Sequence, residues 1–293
     1  MKGKAYSCGA GTIINAIANW KGCSFGVDLK TYAEVELYEG TGNIRGEIDV
    51  GGDTSLIERC VRLVLERFNV QDSYDGIVKT TSEIPIARGL KSSSAAANAT
   101  VLATLNAIGE TLDPLEAVKL GVLAAQDVGV TITGAFDDAC ASFFGGIVIT
   151  DNKKMELIKR FEYNSLVLIF VPSERAYTAD TNVSRSRVIA PLVDIAWNFA
   201  RNGKFKVAMT LNGFLYCSAL GFDTEVMMRA LEKGVNGVSL SGTGPAFTAL
   251  VDENNIDSVC DAWSDLGGEI IKTKINNKVV RGKGFARLIS MIH

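Results

Sequence analysis

The chain has 293 residues, 47% of them hydrophobic and 22% charged, with a net charge of -3. That balance describes one large or two ordinary globular domains with a full core, and the slight acidity excludes a nucleic-acid footprint or attraction to an anionic membrane. Six cysteines are scattered without a C-x-x-C pair and the single histidine is the last residue, His293, so no zinc site is expected and catalysis must rely on carboxylates, lysines, hydroxyls or a metal.

The N-terminal stretch "MKGKAYSCGAGTIINAIANWKG" starts basic and has an apolar middle, but glycine and asparagine interrupt that middle and no small-residue cleavage site follows. It reads as a strand and a helix of the folded protein rather than a signal peptide. No apolar run reaches the ~20 residues of a membrane span, so a cytoplasmic protein is expected.

"SFGVDLKTYAEVEL" (24–37) alternates as a half-buried strand does. "DTSLIERCVRLVLERF" (53–68) puts Leu56, Ile57, Cys60, Val61, Val64 and Phe68 on one helical face, with Asp53 as cap. "GIVKTTSEIPI" returns to strand character. In "DPLEAVKLGVLAAQDVG" (113–129) Asp113 caps, Pro114 takes the first helical position, and Leu115, Val118, Val122 and Ala125 share a face. "GGIVITD" is a buried strand, and the charged "DNKKMELIKRFE" is read as a surface connection. A domain boundary is placed near residue 152, giving parts 1–152 and 153–293.

The second part opens with the strand "SLVLIFVPS", followed by helical material over 182–233. A strand-loop-strand signal, "GVSLSGTGPAFTALV", comes next, and a helix "IDSVCDAWSDLG" and a strand "EIIKTKI" complete a mixed α+β pattern.

Three segments carry the chemistry. In "EIPIARGLKSSSAAANATVLATL" (83–105) a strand, a glycine loop and a serine-rich helix start leave free backbone amides at the positive end of a helix, ready for phosphate. Lys91 can offset phosphate charge and the hydroxyls can bind phosphate oxygens or Mg²⁺. The loop is not a Walker A loop, because Leu90 separates Gly89 from Lys91. The same residues also describe a serine-capped core helix. In "TGAFDDACASFFGG" (133–146) the adjacent Asp137 and Asp138 stand in an apolar run, which calls for a cation, a catalytic proton or a helix cap. "SGTGPAF" (241–247) is a glycine-rich turn that by itself suits a hairpin connection.

Taken in order, the three resemble the motifs of the GHMP kinase superfamily of ATP-dependent small-molecule kinases. The central P-x-x-x-G-L-x-S-S-[SA]-A loop corresponds to Pro85–Ala95, and the C-terminal G-x-G-P-[AT] loop to Gly242–Ala246. Within the superfamily, "GAGTIINAIA", Lys91-Ser92-Ser93-Ser94 and "TGAFDDA" are most similar to the archaeal-type shikimate kinase family. The resemblance covers roughly residues 3 to 250.

It implies an α+β, GHMP-kinase-like fold in two parts with the active site in the cleft between them, with ATP and Mg²⁺ as cofactors and a small molecule as acceptor. Pro85, Ile86, Ala87, Arg88, Gly89, Leu90, Lys91, Ser92, Ser93, Ser94 and Ala95 form the nucleotide loop, and Gly242 and Gly244 belong to the second glycine loop. The family's Mg²⁺-binding serine falls on Ser93. Its catalytic aspartate, placed by its spacing from Gly145-Gly146, falls on Asp138, with Asp137 beside it. An acidic metal ligand of some members corresponds to Asp127. Lys91 departs from the glycine of many members, and no clear phosphate-side lysine stands at the N-terminus, which leaves the role of Lys4 open. Shikimate carries a carboxylate, so its pocket needs a cation, and Arg185 and Arg187 in "TADTNVSRSRV" are the candidates. Homoserine kinase, mevalonate kinase and a non-catalytic ATP sensor of the same fold are the alternatives.

Overall fold

The computed structural model describes residues 1–85, 88–131, 134–173 and 183–280. Strands β1 (Lys2–Ile14), β2 (Lys21–Glu39), β3 (Ile44–Ile48), β4 (Tyr74–Ser82), β5 (Ile147–Asp151) and β6 (Glu156–Phe161) form one sheet in the order β3-β4-β2-β5-β6, with β1 paired to β2. The long β2 makes this possible. Its first residues, Lys21–Phe25, pair with β5, and its last, Thr31–Glu39, pair with β4. Helices α1 (Ser55–Arg67), α2 (Ser92–Ile108) and α4 (Phe136–Phe144) pack against this sheet, and α3 (Pro114–Asp127) packs on those three helices.

A second sheet holds β7 (Leu166–Pro172), β8 (Val238–Leu240), β9 (Phe247–Val251) and β10 (Gly268–Lys274) in the antiparallel order β10-β7-β9-β8. With it go α5 (Val183–Val188), α6 (Ala190–Arg201), α7 (Phe205–Leu220), α8 (Glu225–Glu232) and α9 (Ile256–Trp263). The mixed α+β character expected from the sequence is therefore present.

Sequence chemistry accounts for the elements that support the site. Helix α2 has no polar stripe, and its alanines let it sit deep in the first part, with Ala95, Ala97, Ala99, Val101, Leu102 and Ala103 buried. Asp113 caps α3 by accepting the Leu115 amide at 2.9 Å and the Glu116 amide at 3.3 Å. Asp53 accepts the Ser55 amide at 2.9 Å, although the cap position itself is Thr54. The two parts share one core, in which Ile13, Phe25 and Val27 of the first sheet pack with Val167, Ile169 and Leu240 of the second sheet and with Trp197 of α6. After β10 the chain returns to the first sheet: the Asn276 amide donates to the Gly26 carbonyl at 3.0 Å, and the Val280 amide to the Phe143 carbonyl at 2.8 Å.

Two local expectations fail. No helix follows β1; residues 15–20 are a turn, closed by the Trp20 amide on the Ala16 carbonyl at 2.8 Å. The end of β1 is buried on both faces, so its apolar run carries no alternation to separate strand from helix. The charged segment after β5 is not a plain connection either. It turns at Asn152–Met155 and forms β6, which pairs with β5 at the edge of the sheet, where charged side chains face water. The first sheet thus continues past residue 152 to Phe161, and the second begins at Leu166.

Candidate active site

Segments far apart in sequence meet at the start of α2. After β4 the chain reaches Gly89, where φ is +82° and an added Cβ would lie 2.3 Å from the Ser241 carbonyl oxygen. Conformation and close approach both demand glycine there. The Ser241 hydroxyl donates to the Gly89 carbonyl at 2.8 Å, and the Ala246 amide donates to the Arg88 carbonyl at 3.1 Å. These bonds tie the loop between β8 and β9 to the loop that opens α2. On its other side the Gly242 amide donates to Thr12 Oγ1 at 2.9 Å, and the Gly242 carbonyl accepts from Asn15 Nδ2 at 2.8 Å. The Asn15 amide in turn donates to Asn212 Oδ1 on α7 at 3.0 Å.

Lys91 caps α2 with φ +64°, in the left-handed region. For a residue with a Cβ this costs roughly 1–2 kcal/mol. Among the described residues, the first amide of the helix to find an acceptor is that of Ala95, on the Lys91 carbonyl at 3.1 Å. The amides of Ser92, Ser93 and Ser94 stay open at the positive end of the helix, and no acidic residue occupies its first turn. The Ser93 side chain is exposed beside them. This end of the helix is built for an anion.

The Lys91 ammonium reaches the other half of the site. Its Nζ lies 2.8 Å from Asp138 Oδ2, with the two side chains 14% and 8% exposed. A Cβ on Gly242 would come within 2.5 Å of that nitrogen, so the ammonium is held between the second glycine loop and α4.

Helix α4 presents Asp137 and Asp138 from its first turn, 4% and 6% exposed. The helix is pinned by Asn98 Nδ2 of α2, which donates to the Ala139 carbonyl at 2.9 Å, and by the Ser7 hydroxyl on the Ser142 carbonyl at 3.1 Å. Ser24 Oγ on β2 stands between the carboxylates, 3.0 Å from Asp137 Oδ2 and 2.9 Å from Asp138 Oδ1. Asn152 Nδ2 donates to Asp137 Oδ1 at 2.7 Å, and the Thr150 hydroxyl donates to Asn152 Oδ1 at 2.7 Å. Burial, and next the charge of Asp138, push the Asp137 carboxyl up to about 6, against the opposing pull of Lys91, Asn152 and Ser24.

Residues 55–146 match the model of the GHMP kinases N terminal domain. Over 281 residues, 94% of this chain and 95% of the relative, the sequence is 63% identical to a shikimate kinase of Methanosarcina acetivorans. The chain belongs to the shikimate kinase family of the GHMP kinases. A shikimate kinase of Methanococcoides burtonii is 60% identical over 279 residues, 94% of this chain and 96% of the relative. Among solved structures, homoserine kinase from Cytophaga hutchinsonii superposes with a TM-score of 0.76 at 17% identity, covering 96% of each chain. Methanococcus jannaschii mevalonate kinase gives a TM-score of 0.72 at 17% identity, covering 94% of this chain and 98% of its own. These two share the GHMP kinase fold with the family.

The structure brings Arg88, Gly89, Leu90, Lys91, Ser92, Gly242 and the two aspartates into one region, while Ile86 and Ala87 lie outside the described residues. Lys91, at the start of α2, has its ammonium paired with Asp138. Asp127 is at the exposed end of α3, with Oδ2 2.7 Å from Arg59 Nε on α1, so its charge is already met. Arg185 and Arg187 are exposed on α5, and among the described residues neither has an ion-pair partner. Residues 178–182 of their motif lie outside the described residues. Lys4 pairs with Glu34 on the exposed part of the β1–β2 pair. Sequence reasoning did not find Ser24, Asn152, Thr12 or Asn15; the available signal was a polar residue inside or beside an apolar strand.

Among the described residues no group of three or more His, Cys, Asp or Glu side chains could hold a metal ion. Mg²⁺ that arrives on nucleotide phosphates takes few protein ligands. The open amides of α2 and the exposed Ser93 hydroxyl fit the phosphates and that ion. No helix among the described residues is long and apolar enough to cross a membrane.

Proposed function

We propose that this chain transfers the γ-phosphoryl group of ATP to a hydroxyl of shikimate, giving shikimate 3-phosphate. The observation that carries this reading is the 63% identity, over 94% of the chain, to a shikimate kinase. The geometry supports it: an anion-ready helix start and a cation-paired carboxylate lie side by side, as phosphoryl transfer to an alcohol requires.

The amides of Ser92, Ser93 and Ser94 bind the phosphates, with Gly89 and Gly242 making room for the Ser241 carbonyl and the Lys91 ammonium beside them. The residues Pro85 to Ala95, with Gly242 and Gly244, make up the nucleotide site. Ser93 supplies the hydroxyl ligand to Mg²⁺, which when bound neutralises charge on the phosphoryl oxygens; Asp127, engaged by Arg59, takes no part. Asp138 accepts the proton of the attacking hydroxyl and orients it, and Asp137 supports it from the same turn. Lys91 sits where it can follow negative charge from Asp138 to the transferred group. Arg185 and Arg187, without an ion-pair partner among the described residues, are the cations for the shikimate carboxylate. The first part, residues 1–152, carries the loop Pro85–Ala95 and both aspartates, and 153–293 adds Gly242, Gly244 and the two arginines. The protein works in the cytoplasm.

The test is ADP release by purified protein with ATP and Mg²⁺ and, in turn, shikimate, homoserine and mevalonate. Turnover with shikimate should far exceed the other two. Equal or faster turnover with either rival overturns the acceptor while leaving the phosphoryl-transfer site in place.

A further inference from the structure

Beyond the assignment of a base, the hydrogen bonds around the aspartates do not balance if both are ionised. A serine hydroxyl has a single hydrogen to donate, yet Ser24 Oγ lies 3.0 Å from Asp137 Oδ2 and 2.9 Å from Asp138 Oδ1. With two carboxylates, one of those contacts sets oxygen lone pairs against a negative oxygen in a buried site. Such a contact is repulsive and, at these burials, little screened.

The remaining partners decide where a compensating proton fits. Thr150 donates to Asn152 Oδ1 at 2.7 Å, so the Asn152 amide must turn its NH₂ group to Asp137 Oδ1, also at 2.7 Å. Asp138 Oδ2 faces the Lys91 ammonium at 2.8 Å. The negative charge therefore belongs on Asp138, and the free valence on Asp137 Oδ2.

We propose that Asp137 and Asp138 hold one proton between them across Ser24, and that Ser24 is a positioning residue for the kinase reaction. Asp137 Oδ2–H donates to Ser24 Oγ, and Ser24 Oγ–H donates to Asp138 Oδ1. The Thr150 hydroxyl, one N–H of Asn152, the Asp137 carboxyl and the Ser24 hydroxyl then each have an acceptor, and the run has one direction. Its end fixes the carboxylate of Asp138 in the plane set by Ser24 on one oxygen and Lys91 on the other. This rests on the kinase reading for its functional part only; the proton itself is a property of the folded chain.

The titratable groups that face Asp137 are Asp138 and Cys140 on its own helix, Lys91 at the start of α2, Cys23 on β2 and Tyr216 on α7. The upward push on Asp137 from burial and from Asp138 acts in the direction the hydrogen count requires. A bound nucleotide adds negative charge to the same region and pushes the same way.

The experiment is an infrared titration of the full chain without substrate, following the C=O stretch of protonated carboxyls. Ordinary aspartates and glutamates are ionised by about pH 5.5. The wild type should keep a protonated-carboxyl band above that pH, and Asp137→Asn should lack it. A wild type without that band, or a band that survives Asp137→Asn, overturns the proposal whether or not shikimate is the acceptor. Kinetics supply the second readout: Ser24→Ala should lower kcat about 10-fold or more and move its pH profile, with KM for ATP little changed, while Ser24→Thr restores both. An unchanged kcat and pH profile in a folded Ser24→Ala refutes the positioning role.

Discussion

Asp138→Asn separates the catalytic reading from a structural one most sharply. The substitution keeps the shape of the side chain and removes its charge. At 2.8 Å from Lys91 Nζ the lost attraction is ~6 kcal/mol before desolvation, taking an effective dielectric constant of about 20. Little solvent screening applies, because the pair is 14% and 8% exposed. Removing one member of a buried pair costs about 3–5 kcal/mol of stability, and Asp137 in the same turn keeps the loss near the lower figure. Losing a positioned proton acceptor should slow turnover ~10²–10⁴-fold, which is about 3–5 kcal/mol on the barrier.

Steady-state ADP release measures the second quantity and denaturant unfolding of the same variant the first. KM for ATP should change little, since the phosphate site proposed above is the start of α2 and not Asp138. Asp137→Asn is the comparison: an asparagine there can accept from Asn152 and donate to Ser24, so its loss of turnover should be the smaller. Normal turnover by Asp138→Asn refutes the assignment. If Asp137→Asn is the inactive variant and Asp138→Asn works, the base is Asp137. If both variants keep full activity, the pair is structural.

Two further outcomes are expected. Ser93→Ala should remain folded, since the Ser93 hydroxyl is exposed, and should lower turnover ~10–100-fold with a changed Mg²⁺ dependence; identical Mg²⁺ titrations would make Ser93 only part of a helix start. The folded Asp137 carboxyl lies above its ordinary 3.8, at about 6, so its protonated form is favoured by folding. That contribution is complete below about pH 4 and is lost as pH rises through about 6, a difference of about 3 kcal/mol. Relative to Asp137→Asn, the wild type should therefore lose unfolding free energy between pH 4 and 7 in denaturant titrations, and a gain over that range would contradict the burial argument.

The nucleotide loop and the acidic pair were legible in sequence because their chemistry is local. Gly89, the serines of α2 and Asp137-Asp138 are each unusual among their immediate neighbours, and strand and helix periods placed most elements around them. What stayed hidden is carried by contacts between distant segments. Ser24 lies between Cys23 and Phe25 in a buried strand, where a serine passes for a small core residue until its hydroxyl is seen between two carboxylates. Asn152 follows an apolar strand and looks like a turn residue; only the pairing of β5 with β2 carries it to Asp137. Lys91 shows the limit most clearly. Its place in the loop points to phosphate, and nothing local shows that its left-handed backbone and the approach of Gly242 also set its ammonium against Asp138. The proposed nucleotide loop and the proposed base are thus joined through one side chain, so any displacement of Lys91 by incoming phosphate charge would alter the electrostatics of the carboxylate it leaves.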